Sequence, residues 1–302
     1  MRPRSPRLRW AGLLLAVGAL PATLALRAAA PPKPPAALAE AAPPRQLGQW
    51  VWTTRDAQRF DEAHARDTAL VPALLVGSVK READQLRVTR GITPAATGAR
   101  RVAAVIRLED SVHPALSDQG PKAFAERLET LVNPLLLDVG KSGVELVELQ
   151  LDYDVPVSKL GLWADTLKVL RKGPLGFVSL WITSIPSHLS DPDYGERLQG
   201  AVDGTILQLF DTGLDCNAAN QRRLAAQLRR HGLPFRIGVG AFERARRATG
   251  KTLPAAATNH GCWLERSISF RSDPLYRGTW VFAANQDTDD VFRSLAAGGS
   301  RS

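Results

Sequence analysis

Eight apolar, strand-like runs recur along residues 47–302: Gly48–Thr53, Ala69–Val76, Arg101–Leu108, Val144–Tyr153, Gly176–Thr183, Val202–Phe210, Pro234–Gly240 and Thr279–Ala284. Segments with apolar positions at helical spacing separate most of them: Asp56–Ala65, Gly120–Leu137, Val157–Arg171 and Asn217–His231. In the last of these Leu224 and Leu228 repeat at i, i+4, and Gly232 supplies a stop. Strand alternating with helix argues a parallel sheet. The 256 residues from 47 to 302 are close to the usual size of eight such units. The expected fold class is therefore α/β, a (β/α)8 TIM-like barrel. The second and last units fit worst. Gln85–Thr89 reads as an extra strand where a helix is due, and Gly250–Ser272 is irregular. No repeat and no second domain is visible.

Within this pattern, Gly143–Pro156 (GVELVELQLDYDVP) carries the most chemistry. As a strand, it places Val147, Leu149, Leu151 and Tyr153 on one face and Glu148, Gln150, Asp152 and Asp154 on the other. A barrel strand points one face inward and packs the other against helices. Sites on such barrels lie at the C-terminal strand ends, where Asp152 and Asp154 fall. Residues two apart on a strand lie roughly 6.5–7 Å apart, so one substrate can meet both carboxyls. The competing role for the pair is a turn or the N-cap of the next helix, since Asp154 precedes Val155-Pro156.

Residues 1–27 begin with Arg2, Arg4, Arg7 and Arg9, and an apolar run from Trp10 to Leu26 follows. They read as a signal peptide or an N-terminal signal-anchor helix, so the body is expected outside the cytoplasm, periplasmic or secreted. Residues 28–46, rich in Ala and Pro, read as a linker. The formal charge of +9 sits mostly in these first 46 residues. Seven of the 39 Lys/Arg and one of the 30 Asp/Glu fall there. The near-balanced remainder has no electrostatic footprint of a nucleic-acid binder. Membrane contact is expected through the N-terminal segment alone. Cys216 and Cys262 are the only cysteines. In an exported chain they suit one disulfide, and two buried thiols remain the alternative.

Most motifs fail. Ala245–Thr252 (ARRATGKT) ends like a phosphate-binding loop but lacks the first glycine, and Pro254 follows in place of a long helix. The histidines at 64, 113, 188, 231 and 260 show no pair at zinc-ligand spacing, and no G-x-S-x-G elbow occurs. No cofactor and no metal is implied. Polar and aromatic residues at strand ends survive as binding candidates: Trp52, Arg107, Glu109, Trp181, Gln208, Asp211 and Arg236. Tryptophan faces stack on sugar rings as on other apolar ring faces. Each tryptophan could equally be core, and Arg107 with Glu109 could be a structural ion pair.

The strand around LQLDYD, its flanking helices, the opening QWVWT (Gln49–Thr53) and SLWITSIPSHL (Ser179–Leu189) resemble one bacterial family. That family is catalogued as domain of unknown function 3142 and grouped with TIM-barrel glycoside hydrolases. The resemblance covers most of residues 47–240 and implies fold rather than reaction. A weaker similarity is to chitinase-like hydrolases, whose fourth strand carries D-x-D-x-E. On that pattern Gln150 takes the first place, Asp152 the second and Asp154 the third, where the acid stands. With export expected from residues 1–27, the resemblance implies a barrel acting on a cell-envelope or extracellular glycan. Asp154 would be the general acid, Asp152 its electrostatic partner, Gln150 a substrate hydrogen-bonder, and Trp52 or Trp181 a platform. Two alternatives stand beside it: a non-catalytic glycan-binding barrel, and a metal-dependent transferase using Asp152-x-Asp154.

Overall fold

The computed structural model describes residues 45–241, 247–248, 251–252, 260–283 and 288–297. The expected signal segment lies outside these residues, as do the linker up to residue 44 and half of Ala245–Thr252. Eight parallel strands close into a barrel: β1 (Gln46–Val51), β2 (Val71–Glu82), β4 (Arg101–Leu108), β5 (Glu145–Asp152), β6 (Leu180–Ser184), β7 (Gly204–Gln208), β8 (Phe235–Gly240) and β11 (Tyr276–Phe282). Closure is seen at β1, which pairs with β11 on one side and β2 on the other. All eight expected runs supply barrel strands. A two-residue pair, β9 (Arg247–Ala248) with β10 (Lys251–Thr252), stands apart from the barrel.

The second unit lacks a crossover helix. β2 runs past the barrel and folds back antiparallel on β3 (Gln85–Arg90), confirming the extra strand. Elsewhere helices fill the crossovers: α1 (Thr54–His64), α2 (His113–Lys141), α3 (Leu160–Lys172), α4 (Tyr194–Leu198), α5 (Ala218–His231) and α6 (His260–Ser267), while α7 (Asp289–Ala297) follows β11. Local chemistry sets several ends. Thr53 and Asp56 form a reciprocal capping box at the start of α1. Asn217 caps α5, and Gly232 ends it in the left-handed region at φ 66°. α2 is longer than its expected span of Gly120–Leu137, because a turn of helix from His113 joins it across Gly120, whose φ is 74°. Cys216, ahead of α5, and Cys262, on α6, are joined in a disulfide with Cα atoms 6.2 Å apart.

Apolar outward faces bury against the helices, Leu149 and Leu151 with Leu128, Trp163 and Leu167 among them. One expectation is corrected there. Val147 packs with the inner cluster and Leu146 with the outer one, because a register shift between Val102 and Ala103 inserts an extra residue in β5 at that point.

Inside the barrel, three tryptophans take the place of many small layers. Trp280 lies over Gly48 of the neighbouring strand, Trp50 over Gly238 and Trp181 over Gly204. Each ring occupies the volume a Cβ would need. A Cβ on Gly204 would stand 2.4 Å from the Trp181 ring and 2.6 Å from the Pro234 carbonyl. Gly204→Ala should therefore lose about 1–3 kcal/mol from overpacking, read as a lower urea midpoint. An unchanged midpoint would show that the lumen is loosely packed.

Candidate functional site

The lumen floor is built first. Arg236 of β8 reaches Glu148 of β5, Nη1 to Oε1 at 2.6 Å, with both side chains almost wholly buried. The Gln150 amide donates to the same Glu148 oxygen at 2.7 Å and accepts from Trp50 Nε1 at 2.8 Å. The Arg236 guanidinium stacks 3.6 Å from the centre of the Trp181 ring. Gln150, Trp181 and Arg236, expected at the substrate, are thus spent on one another beneath the site.

Asp152 ends β5 one layer higher, paired in register with Arg107 of β4. It is 8% exposed and accepts a hydrogen bond from Gln208 Nε2 at 3.1 Å. Burial, and then the charge of Asp154, push its pKa up from 3.8 to about 6, against the opposing pull of Arg107, Thr183 and Gln208. Asp154 lies two residues on, beyond the strand, and is exposed. Partial desolvation against the rim, aided by Asp110, also raises its pKa, with Arg107 and His113 opposing. It caps no helix. The 3-10 turn that follows has Pro156 at its N-cap, and α3 has Lys159.

Above the floor opens a cleft of about 410 Å³ at the C-terminal end of the barrel. Asp152, Asp154, Trp52, Arg107, Gln208 and Asp211 line it, so six of the ten sequence-nominated residues converge there. Glu109 does not. It makes no ion pair with Arg107 and is a charge neighbour of Lys80, while Arg107 stacks 4.9 Å from the Trp52 ring. The capping box fixes Trp52, whose backbone N–H donates to Asp56 at 3.2 Å. Phe282 packs 4.7 Å from Trp52 and 5.3 Å from Phe210, giving one wall a continuous aromatic surface.

Ile185, Pro186 and Ser187 form the opposite lip. They were missed in the sequence, and so was the residue that places them. His188 is 1% exposed, accepts from the Ile185 N–H at 3.4 Å and contacts the Val155 carbonyl through Nε2 at 2.8 Å. It ties the loop bearing Asp154 to the lip. Burial pushes its pKa down to about 4, so it stays neutral. No cluster of three or more His, Cys, Asp or Glu side chains suited to a metal ion occurs among the described residues.

No family model matches the chain, and no curated protein does. Solved structures do. A chitinase from Chromobacterium violaceum superposes with a TM-score of 0.59 at 11% identity, covering 85% of this chain and 100% of its own. The spore cortex-lytic enzyme SleL of Bacillus cereus gives 0.54 at 12% identity, covering 84% of this chain and 74% of its own. The fold, a closed (β/α)8 barrel, is the one these structures share. At these identities the likeness is one of fold, and the chemistry must be argued from the cleft.

The raised pKa of Asp152 gives stability a pH dependence of known sign. The folded state holds a proton that the unfolded carboxyl has lost, so stability falls as pH rises from about 4 through about 6. Asp152→Asn removes that dependence. Relative to the variant, the wild type should lose on the order of 3 kcal/mol between pH ~4 and pH ~7, measured by denaturant melts. Parallel curves for the two proteins would place Asp152 at an ordinary carboxylate pKa.

Proposed function

We propose that this is an exported glycoside hydrolase-like barrel, its cleft holding a segment of a cell-envelope or extracellular glycan, with Asp154 as general acid. One observation carries the reading. Two aspartates with raised pKa values meet in a cleft at the C-terminal strand ends, beside an aromatic wall of Trp52, Phe210 and Phe282. The resemblance to domain of unknown function 3142 and the export signal expected in residues 1–27 support the setting.

In this mechanism a sugar ring stacks on the aromatic wall and sets the scissile bond over the carboxyl pair. Asp154, exposed to the cleft, gives its proton to the glycosidic oxygen as the bond to the anomeric carbon breaks. Positive charge develops on the departing ring. In the reacting form the proton of the pair lies on Asp154, which leaves Asp152 below ionised to stabilise that charge; water completes the substitution and its proton returns to the pair. Gln208 and Thr183 hold Asp152 in place. The two carboxyls titrate as a coupled pair, so activity should fall on the alkaline side as the shared proton is lost.

A second reading, glycan binding without turnover, rests on Gln150. The side chain at the first place of the hydrolase-like pattern is an amide locked between Trp50 and Glu148, and it adds no carboxylate to the cleft. Assays on envelope glycans separate the two. Asp154→Asn keeps the shape and should reduce turnover roughly 10²–10⁴-fold with an unchanged melt. Full activity in that variant removes the catalytic assignment. Binding of a glycan that is never cleaved installs the second reading.

A further inference from the structure

The face opposite the cleft carries a feature that the glycan reading does not use. Among the described residues three large apolar side chains are strongly exposed: Phe177 at 95%, Leu137 at 63% and Val157 at 44%. Leu137 lines an apolar groove of about 540 Å³, whose walls include Leu136, Leu175 and Val178, and Phe177 stands beside it in the chain, between the wall residues Leu175 and Val178. α2 ends at Lys141, four residues before β5 begins, and Pro174–Val178 leads directly into β6. The groove therefore lies at the N-terminal ends of the strands.

β1 starts at Gln46, at the end of the barrel that carries the groove and away from the cleft, and residues 1–44 precede it in the sequence. Their sequence offers an apolar run from Trp10 to Leu26 preceded by four arginines, and then 18 residues up to 44. β1 and the β5–β6 side stand across the barrel from one another. No helix among the described residues is long and apolar enough to cross a membrane.

We infer that the N-terminal face of the barrel docks on a lipid surface through Phe177 and Leu137, holding the cleft outward. An aromatic and an aliphatic side chain held clear of the protein suit the boundary between headgroups and acyl chains. Lys141 lines the groove, and Lys172 is exposed just before its Pro174 wall; both carry the charge that anionic headgroups attract. The nearby Glu129 is turned inward against Gly173. The inference deepens the expected tether, since an anchor alone would leave the orientation of the barrel free. It does not depend on catalysis.

The test uses the full chain reconstituted into vesicles of phosphatidylethanolamine and phosphatidylglycerol. The native cysteines are joined to each other, so a single introduced cysteine takes an environment-sensitive fluorophore selectively. Phe177→Cys labels the groove face, and Arg55→Cys, exposed at the start of α1, labels the cleft face. Both positions are exposed, so neither change threatens the core. Label at 177 should shift to the blue on vesicles and be quenched about twofold or more by lipids brominated in the upper acyl chain, while label at 55 stays as in water. Equal, water-like emission at both positions overturns the proposal, as does failure of the chain to associate with vesicles. Shielding of 177 without vesicles, growing with protein concentration, would assign the groove to a second copy and overturn it too.

Discussion

The buried ion pair between Glu148 and Arg236 is the interaction on which the site depends. Two charges inside a barrel cost more to desolvate than their attraction returns unless each is held by further partners. Here Gln150 donates to Glu148, Trp50 holds Gln150, and the Trp181 ring covers the guanidinium. Those partners in turn need room. Three tryptophans fit the lumen because glycines at 48, 204 and 238 face their rings. A glycine pattern in three strands thus sets the packing that makes a charged floor tolerable.

Above that floor the electrostatics run the other way. Arg236 is committed to Glu148, which leaves Arg107 to face both aspartates from the neighbouring strand. Arg107 opposes the rise in both carboxyl pKa values without overcoming burial. A carboxyl near pKa 6 beside a second raised one suits proton transfer close to neutral pH. The loop that carries Asp154 is held by His188, a neutral histidine whose two ring nitrogens both reach backbone groups.

Most of the fold was legible in the sequence, and for a physical reason. A barrel strand buried on both faces leaves an apolar run, and all eight runs showed, four of them followed by an amphipathic helical pattern. The departure at Gln85–Arg90 was also visible, because those residues alternate with the period of a strand. The site was legible only in part. Asp152, Asp154, Trp52, Arg107, Gln208 and Asp211 were found because strand ends point into the cleft. Gln150, Trp181 and Arg236 were placed one layer too high. Sequence shows which face a residue takes but not its depth along the barrel axis, and the bulge at Val147 shifts the faces as well. Phe282, Ile185 and Ser187 gave no signal of their own, since loop and end residues acquire a role only when the barrel closes. His188 was passed over because a lone histidine carries no motif.

The account turns on where the proton sits in the carboxyl pair. Carbon-13 NMR of the aspartate side chains, titrated between pH ~3 and ~9 in the wild type and in Asp154→Asn, reads it directly. The account predicts a carboxyl assigned to Asp152 that titrates near pH 6 and moves down when the charge at 154 is removed. An Asp152 carboxyl titrating near 4 in both proteins would contradict it.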